Sequence, residues 1–518
     1  MNAEVKRWIA HDPDPRSRAE LLALSPEELA ERFVAPLAFG TAGLRGPVRA
    51  GPNGMNLAVV IRTTAGLSAW LKDRCLGGST VVVGRDARHG SEEFALAAAE
   101  VLAGAGFAVV LLPRPLPTPI VSFAVRHLRA AAGVQITASH NPASDNGYKV
   151  YLDGGAQLIS PSDREIEAAI ADAGPADAVP RTRVDPASDE LPTLYLDRVA
   201  TLPKGPSRTL RIALTAMHGV GGDTAVAALH AAGFTDIHTV ASQFPPDPDF
   251  PTVAFPNPEE PGAADALLAL AEDVEADLAV ALDPDADRCA VGVRGPAGWR
   301  MLRGDETGVL LADHVLASAP PDSLVATTIV SSALLEKLAA ARGARFARTL
   351  TGFKWLVRAG EGLVYAYEEA IGHCVDPEYV RDKDGISAAV VAADLAATLR
   401  TEGRTLLDRL DDYALEFGLH AGDQVSRRVT DLAQIAATMS RLRADPPTDL
   451  AGEPLRITDL STLRGQSRAD AVVLEGSTLR VVVRPSGTEP KLKCYLEVVV
   501  PVPDRSALGS ARSAAQEQ

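Results

Sequence analysis

The stretch GVQITASHNPASDNGYK, residues 133–149, ends an apolar strand in a polar run that carries a serine. Ser139 stands where the strand ends, His140 follows it directly, and Lys149 comes ten residues later. A serine hydroxyl becomes a useful nucleophile only with a base, a metal or an electrophile beside it. The stretch lacks the Gly-x-Ser-x-Gly pattern of hydrolases. On these residues alone, a nucleophile and a plain turn capped by Ser139 and Asn141 are equally open interpretations.

Three aspartates alternate after a second apolar strand, in LAVALDPDADRCAVGV. We expect Asp283, Asp285 and Asp287 to lie in an extended segment, where residues two apart point the same way. Three converging carboxylates repel one another unless a cation lies between them, and their oxygens suit Mg²⁺. A calcium-binding EF-hand is excluded, because Arg288 and Arg294 occupy its glycine and glutamate positions. A solvated acidic turn is the remaining alternative.

Two later loops carry groups suited to sugar hydroxyls and to phosphate. Glu368 and Glu369 follow an apolar strand in YAYEEAIGH, where carboxylates can accept hydrogen bonds from a sugar. RPSGTEPKLK offers guanidinium, hydroxyl and ammonium donors around a glycine that lets an anion approach the backbone. Alone, these loops could be a solvated charged pair and a plain turn. Together, the four loops offer what phosphoryl transfer to a sugar phosphate requires.

The elements that must position these loops are repeated strand–helix–strand units. Such units begin near Ser79, Thr209 and Ser323, and the first two share a Gly-Phe break before the second strand. This alternation predicts mainly parallel sheets, whose ligands bind beyond the carboxyl ends of the strands. The stretch AVVLEGSTLRVVVRPSGTEPKLKCYLEVVV reads instead as hairpins. We therefore predict an α/β protein: three related mixed-sheet α/β domains and a smaller C-terminal α+β domain around a central cleft.

Composition narrows the possible classes of protein and partner. The chain has 518 residues, is 46% hydrophobic and carries a net charge of −16, which predicts a globular protein of several domains. The acidic balance argues against nucleic acid and anionic membranes as partners. Four scattered cysteines suit a reducing compartment. No signal-like core opens the chain and no apolar run approaches a membrane span, so we expect a cytoplasmic location. We also expect a monomer or a dimer.

Taken in order, the motifs resemble those of the α-D-phosphohexomutase superfamily, the phosphoglucomutases and phosphomannomutases, over nearly the whole chain. FGTAGLRG is similar to the opening motif, TASHNPASDNGYK to the phosphoserine loop and DPDADR to the metal loop. YEEAIGH is similar to the sugar loop and RPSGTEPKLK to the phosphate loop, while TAMHGVGG, PNPEEPG and TGFKW resemble further family motifs.

The resemblance implies an isomerase that interconverts hexose 1-phosphate and hexose 6-phosphate, of glucose or mannose. A phosphoserine would give its group to the substrate sugar phosphate, and the bound 1,6-bisphosphate would return the other one. Mg²⁺ and glucose 1,6-bisphosphate, as primer, are the implied cofactors. The implied domains are the phosphoserine domain 1–205, the metal-binding domain 206–319, the sugar-binding domain 320–424 and the phosphate-binding lid domain 425–518.

The resemblance also assigns roles to individual residues. The implied catalytic residues are Ser139, Arg45, His140 and Lys149. The implied metal ligands are Ser139, as phosphoserine, and Asp283, Asp285 and Asp287. Substrate-binding roles fall on residues of the later loops: Arg288, Gly352, Lys354, Glu368, Glu369, His373, Arg484, Ser486, Gly487, Thr488 and Lys493.

Two departures from the family pattern leave the sugar open. Ala370 stands where many members have a serine, and one extra residue in the loop loosens the match of His373 to a catalytic histidine. EEAIGH with TGFKW resembles the long phosphoglucomutase-like subgroup, some of whose members prefer pentose phosphates. The alternatives are therefore a phosphopentomutase acting on ribose or deoxyribose 1-phosphate, a Mg²⁺-dependent sugar phosphatase and a non-catalytic sugar-phosphate sensor.

Overall fold

The computed structural model describes residues 3–38, 43–429, 431–465, 468–486 and 491–518, with Leu432 by its backbone only. The chain forms two compact units. Met1–Met301 and Gly372–Ala397 make the first unit, and Leu302–Ile371 and Thr398–Gln518 make the second. Among the helices of the described ranges, none combines the length and the hydropathy that crossing a membrane requires.

Three short helices open the first unit: α1 (Ala3–His11), α2 (Pro15–Ala23) and α3 (Pro26–Arg32). They share a small apolar core formed by Val5, Ile9, Leu21 and Leu29. The start of α3 is fixed by Ser25, whose side chain and that of the third helical residue form a capping box.

The first sheet has the strand order β1-β5-β4-β2-β3. Strand β2 pairs in parallel with β3 and β4, whereas β5 pairs antiparallel with β4 and β1. Apolar helix faces pack on this sheet and form a large buried core. The elements are β1 (Leu44–Pro47), α4 (Leu57–Asp73), β2 (Thr80–Arg85), α5 (Ser91–Gly104), β3 (Ala108–Leu111), α6 (Thr118–His127), β4 (Ala132–Ile136), β5 (Asp145–Leu152), α7 (Ser162–Ala171) and α8 (Glu190–Val199).

The second sheet repeats this plan with the order β10-β9-β8-β6-β7, parallel at β7, β6 and β8 and antiparallel beyond. Gly106 and Gly233, at φ +90° and +97°, make the same left-handed turn between helix and strand in the two sheets. The predicted Gly-Phe break therefore marks equivalent positions. The elements are β6 (Arg211–Thr215), α9 (Gly221–Ala231), β7 (Asp236–Thr239), α10 (Asp265–Asp273), β8 (Leu278–Leu282), β9 (Cys289–Gly295) and β10 (Gly298–Met301).

The second unit contains the third parallel arrangement, in which β11 pairs with β12 on one side and β13 on the other. Its elements are α11 (Gly304–Leu316), β11 (Leu324–Thr328), α12 (Leu334–Ala341), β12 (Arg345–Thr349), α13 (Phe353–Leu356) and β13 (Leu363–Glu368). The chain then contributes β14 (Gly372–Cys374) to the first unit, and α14 (Gly385–Thr401) begins there.

The last sheet has the order β15-β21-β20-β19-β18, and all of its pairs are antiparallel. Its apolar face packs with α16 around Ile435 and Met439. The predicted fold class, three mixed-sheet α/β domains and a C-terminal α+β domain, is confirmed. The elements are α15 (Leu406–Phe417), β15 (Leu419–Arg428), α16 (Leu432–Ala444), β16 (Asp449–Leu450), β17 (Glu453–Pro454), β18 (Arg456–Asp459), β19 (Val472–Glu475), β20 (Leu479–Pro485), β21 (Lys491–Val500) and α17 (Leu508–Glu517).

Candidate functional site

Ser139 lies in the loop that follows β4, with only 1% of its surface exposed. Its backbone has φ +53°, a left-handed conformation that costs energy in a residue with a side chain. The Ser139 N–H donates to Thr137 Oγ1 at 2.9 Å, which helps to hold that conformation. The hydroxyl Oγ donates to Asp283 Oδ2 at 2.8 Å. The loops after β4 and β8 therefore meet at this serine.

The three aspartates of the second loop come together in the interior. Asp283, Asp285 and Asp287 have no exposed surface, and one carboxylate oxygen from each lies within 4.8 Å of the others. The expected extended segment is wrong, because Ala286 is left-handed at φ +54° and its N–H donates to Asp283 O at 2.8 Å. A tight turn, rather than a pleated strand, makes the carboxylates converge.

Two lysines and a threonine compensate these buried carboxylates. Lys149 Nζ donates to Asp285 Oδ2 at 2.7 Å and to Asp287 Oδ2 at 2.8 Å. Lys383 Nζ lies 3.2 Å from Asp287 Oδ2. Thr118, at the start of α6, donates through Oγ1 to Asp285 Oδ2 at 2.6 Å. Each of these two carboxylates is thus held by one oxygen.

The other oxygen of each carboxylate is the one that fits a cation. Within the described part of the chain, Oδ1 of Asp285 and Oδ1 of Asp287 are buried and accept no hydrogen bond. A buried polar atom without a partner costs free energy unless a ligand or ion satisfies it. All three side chains are carboxylates, the donors that a hard divalent cation prefers. The residues present therefore fit Mg²⁺.

The electrostatics of the cluster depend on burial and on these lysines. Burial raises the pKa of Asp283 well above its usual value, and the neighbouring charges of Asp285 and Asp287 raise it further. Burial acts the same way on Asp285, but Lys149 outweighs it and holds the pKa of that carboxyl far below its usual range. Conversely, the two aspartates overcome the burial of Lys149 and raise the pKa of its ammonium.

The remaining basic candidates of the first unit surround the serine loop. Arg45 donates through Nη1 to Asn141 Oδ1 at 3.3 Å. Nδ1 of His140 lies 3.4 Å from Ser139 Oγ. Burial, followed by the charges of Arg288 and Arg45, lowers the pKa of His140 well below its usual value. The backbone N–H of Arg288 donates to Asp283 Oδ1 at 3.1 Å.

The second unit carries the predicted sugar and phosphate residues. Glu369 Oε2 accepts hydrogen bonds from Thr328 Oγ1 at 3.3 Å and from Ser331 Oγ at 3.2 Å. Burial, followed by the charge of Glu369, raises the pKa of Tyr495, which is also hydrogen-bonded to Arg484. The sugar loop and the start of the phosphate loop are therefore neighbours in this unit.

Other predicted residues of the second unit lie at its partly exposed surface. Gly352 has φ +111° directly before α13, and Lys354 is half-buried with Nζ 6.0 Å from the ring of Trp355. Glu368 is half-buried at the end of β13. Lys493 is half-buried as well, with Nζ 5.9 Å from the ring of Tyr495.

The remaining four predicted substrate residues are Ser486, Gly487, Thr488 and His373. Gly487 and Thr488 lie outside the described residues, while Ser486 precedes them at a half-buried position. His373 belongs to β14 in the first unit and has no exposed surface. Burial lowers the pKa of His373 to about 3, so the imidazole stays neutral at physiological pH.

Sequence reasoning missed residues that hold the cluster from distant parts of the chain. Thr118 lies in the mostly apolar stretch PLPTPIV and Lys383 in the charged stretch RDKDG. Gly219 belongs to the family-like motif TAMHGVGG, and the sequence alone assigns it no separate role. A Cβ on Gly219 would lie 2.3 Å from Pro284 Cα, so this glycine permits close packing against the aspartate loop.

Comparison with known proteins covers all four domains. Residues 36–176, 193–296 and 303–415 match the families described as phosphoglucomutase/phosphomannomutase, alpha/beta/alpha domains I, II and III. Residues 425–502 match the C-terminal domain of the same description. A crystal structure of a phosphoglucomutase/phosphomannomutase family protein from Burkholderia thailandensis shares the fold, with a TM-score of 0.70 and 22% identity over 92% of this chain and 96% of that one.

Relatives named for three different sugars are similar along most of the chain. A "Probable phosphomannomutase" of Haemophilus influenzae is 41% identical, over 86% of this chain and 93% of the relative. A phosphopentomutase of Mus musculus is 34% identical, over 97% of this chain and 90% of the relative. A phosphoglucomutase of Staphylococcus haemolyticus is 33% identical, over 90% of this chain and 91% of the relative.

Proposed function

Because this chain belongs to the phosphoglucomutase/phosphomannomutase family, we propose that it interconverts hexose 1-phosphate and hexose 6-phosphate through a phosphoserine at Ser139. Family membership makes it an enzyme of the phosphohexomutase class. The preferred sugar, the cofactors and the roles of individual residues are our proposal.

The contact between Ser139 and the aspartate loop carries this proposal. Ser139 Oγ donates to Asp283 Oδ2 at 2.8 Å, beside two carboxylates that are each held by one oxygen. A capping serine in a surface turn would have no reason to lie in the interior against three acidic side chains. A serine that alternately carries and releases a phosphoryl group does, because a divalent cation held by these carboxylates would balance the negative charge that the phosphoryl group adds.

The proposed reaction is two phosphoryl transfers in opposite directions. In the first, the P–Oγ bond of phosphorylated Ser139 breaks and the phosphorus bonds to the free hydroxyl oxygen of the hexose monophosphate. That hydroxyl gives up its proton, and Ser139 regains one. In the second, the other phosphate of the bound 1,6-bisphosphate moves to Ser139 Oγ, which gives up its proton, and the sugar oxygen that this phosphate leaves takes up a proton. Charge balance and proton transfer fall to Arg45, His140 and Lys149, which surround the serine loop and the aspartates.

We propose Mg²⁺ as the resident cation, held by Asp283, Asp285 and Asp287 and by an oxygen of the phosphorylated serine. When bound, it supplies positive charge that stabilises the transferring phosphoryl group. Lys149 neutralises the aspartates at their Oδ2 atoms, while Oδ1 of Asp285 and Oδ1 of Asp287 accept no hydrogen bond among the described residues. Arg288 Nε lies 3.9 Å from Asp287 Oδ1. Arg288 is proposed to bind substrate phosphate, since its backbone is already fixed against Asp283.

The second unit is proposed to recognise the sugar and the phosphate that is not reacting. Glu368 and Glu369 can accept hydrogen bonds from sugar hydroxyls. Gly352, directly before α13, and Lys354, within α13, are proposed to contact the sugar as well. Arg484, Ser486 and Lys493 offer the donors that a phosphate needs, and Gly487 and Thr488 remain predictions for the same role. A cytoplasmic location would suit the four cysteines, none of which forms a disulfide.

A phosphopentomutase is the second candidate, and the phosphopentomutase relatives favour it because they match nearly the full chain. Both candidates use the same serine and aspartates. They differ in which sugar the second unit accepts.

One assay separates the candidates. With Mg²⁺ and glucose 1,6-bisphosphate present, we expect glucose and mannose 1-phosphates to be converted faster than ribose 1-phosphate, in terms of kcat/KM. Intact-mass measurement should find one phosphoryl group, which is lost together with turnover in Ser139→Ala. The matched control is Ser144→Ala, five residues along the same loop at an exposed position, which should keep both.

Each contrary result identifies the faulty step. Ribose 1-phosphate as the best substrate would replace the hexose with a pentose. Free phosphate without isomerisation would favour a sugar phosphatase. A Ser139→Ala variant with wild-type turnover would refute the phosphoserine mechanism.

A further inference from the structure

Arg88, which follows β2, has its guanidinium buried beneath the loop that carries Ser139. The whole residue is 4% exposed and its side chain only 1%. The same turn contains Asp86, whose carboxylate accepts hydrogen bonds from the Arg88 N–H at 3.0 Å and from Ser91 Oγ at 2.5 Å. Asp86 also pairs with Arg88, at 3.3 Å between Oδ2 and Nε. Asp86 therefore links Arg88 to Ser91, the first residue of α5, and holds the arginine within this turn.

The guanidinium of Arg88 donates to four backbone carbonyls of the serine loop. Nη2 donates to Ser139 O at 2.5 Å and to Asn141 O at 2.6 Å. Nη1 donates to Pro142 O at 2.7 Å and to Asp145 O at 3.1 Å. A planar guanidinium can hold several carbonyls in one fixed geometry, which a lysine ammonium cannot. One side chain thus connects the backbone carbonyls of four residues between positions 139 and 145.

A residue of the second domain covers the outer face of this guanidinium. The ring centroid of Phe250 lies 4.9 Å from Arg88 Cζ, a distance suited to a cation–π contact. Phe250 is buried and left-handed, at φ +46°, which is uncommon for a bulky residue. Next to this contact, His89 Nε2 and Asp249 Oδ1 lie 2.6 Å apart. The second domain therefore contacts the turn that carries Arg88, by a route separate from the aspartates.

We propose that Arg88 is the positioning residue of the nucleophile: it holds the loop of residues 139–145 so that Ser139 Oγ faces the aspartates, and Phe250 holds Arg88 in place. This inference rests on the proposed function, in which Ser139 carries the phosphoryl group. Arg88 contacts neither the Ser139 hydroxyl nor any reacting atom; it acts through the loop carbonyls. Its removal should therefore slow transfer without weakening the binding of the sugar phosphate.

The test compares Arg88→Lys with a matched control, Arg208→Lys. Arg208 lies in the same unit, donates to the carbonyls of Gly205, Ser207 and Ala232, and faces the ring of Phe234 at 5.5 Å. The same substitution thus removes the same kinds of contact away from Ser139. We expect kcat to fall about 10- to 100-fold in Arg88→Lys, since small displacements of a nucleophile have effects of that order, with KM within about threefold. Arg208→Lys should keep kcat within about twofold.

Phe250→Leu keeps the inference testable if Arg88→Lys does not fold. It leaves all four carbonyl contacts in place and removes only the aromatic face, so kcat should fall about two- to tenfold at unchanged KM. Thermal unfolding measures the melting temperature of all three variants, and the kinetic assays are run well below each melting temperature so that every variant is folded. Intact mass after incubation with glucose 1,6-bisphosphate should show slower phosphorylation of Ser139 in Arg88→Lys and in Phe250→Leu, but not in Arg208→Lys.

Two kinds of result would overturn the inference. If Arg88→Lys keeps wild-type kcat, or loses no more kcat than Arg208→Lys at equal folded fraction, Arg88 is only structural and the inference fails while the phosphoserine mechanism stands. If the wild-type protein carries no phosphate on Ser139 and Ser139→Ala retains turnover, the proposed function fails and this inference fails with it.

Discussion

The serine and aspartate loops of the first unit differ physically from the sugar and phosphate loops of the second. In the first unit, Ser139, Lys149 and the three aspartates are at most 1% exposed. In the second, the glutamates of the sugar loop, Arg484 and Lys493 are all half-buried. The first set is compensated by ion pairs of 2.7–2.8 Å, whereas Glu369 is held by two neutral hydroxyls at 3.3 and 3.2 Å.

This difference corresponds to the two tasks that a mutase must perform. Phosphoryl transfer depends on positioning and on preorganised charge, which a dry and rigid cluster provides. In the proposed mechanism the sugar phosphate is accepted in two orientations, so the groups that recognise it have to serve either one. Partly exposed side chains with weak internal bonds can adapt in this way. A rigid transfer centre combined with adaptable recognition also allows one chemistry to serve several sugars.

The largest expected effect comes from breaking the buried pairs at Lys149. Lys149→Met removes the shared cation of both aspartates and leaves Asp285 with the neutral hydroxyl of Thr118 and Asp287 with Lys383 as its nearest cation, which should cost about 3–5 kcal/mol of the free energy of unfolding. We expect kcat to fall about 10²- to 10⁴-fold as well. The matched substitution in the second unit is Lys493→Met, which should change stability by less than about 1 kcal/mol and raise KM about tenfold. Urea unfolding and steady-state kinetics of both variants measure the contrast. Equal stability losses would remove the distinction between the two regions.

An intermediate effect is expected at Thr118, which holds Asp285 from one side. Thr118→Val keeps the shape and removes the 2.6 Å hydrogen bond, so Asp285 can rotate and present its free oxygen less well. Loss of such a supporting contact typically costs about tenfold or more in metal affinity. Calorimetric titration with Mg²⁺ should show this loss, with kcat at saturating Mg²⁺ close to that of the wild type. Thr118→Ser should restore the affinity, and an unchanged Mg²⁺ affinity in Thr118→Val would contradict the role.

The sequence predicted the fold class because that depends on local patterns, and the same patterns indicate the candidate site residues, whose roles stay predictions. Apolar strands that end in polar loops identify β4, β8 and β13 and the groups that follow them. The convergence of Asp283 with its neighbours was also predictable, because it needs only four residues of spacing. The extended geometry was wrong, since nothing in the pattern marks Ala286 as left-handed.

The supporting residues were not predictable, because they come from distant stretches with no pattern of their own. Thr118 and Asp285 are 167 positions apart, and Lys383 comes from the stretch that follows β14. Arg88 reads as one polar residue in a loop, and its four carbonyl contacts depend on the path of another loop. The complete burial of His373 was not predictable either, because β14 has only three residues and so short a strand shows no pattern of buried and exposed positions. The predicted domain boundaries stay predictions.

The smallest expected effect concerns Asp305, in α11 of the second unit. Its Oδ1 accepts hydrogen bonds from Ser332 N at 2.7 Å and from Tyr367 Oη at 2.8 Å. Burial raises the pKa of Asp305 to about 7, and the nearby charges of Glu369 and Glu497 add to the rise. The folded protein therefore keeps a proton on this carboxyl between about pH 4 and pH 7, where the unfolded chain has lost it.

The sign of the resulting pH dependence follows from this raised pKa. The stability that Asp305 contributes is fully present below about pH 4 and is lost as pH rises through 7. Asp305→Asn keeps an acceptor for both donors and carries no charge, so its stability relative to the wild type should improve by about 1–2 kcal/mol between pH 5 and pH 8.

Asp313→Asn, in the same helix, is the control of opposite sign. Although burial raises the pKa of Asp313, Arg342 and Arg409 outweigh it and lower that pKa, so the substitution should destabilise the protein at pH 8. Urea unfolding at several pH values measures both variants, and a pH-independent difference between Asp305→Asn and the wild type would show that Asp305 is ionised throughout. Such a result would place a fixed negative charge beside the sugar loop and make the second unit as preorganised as the first.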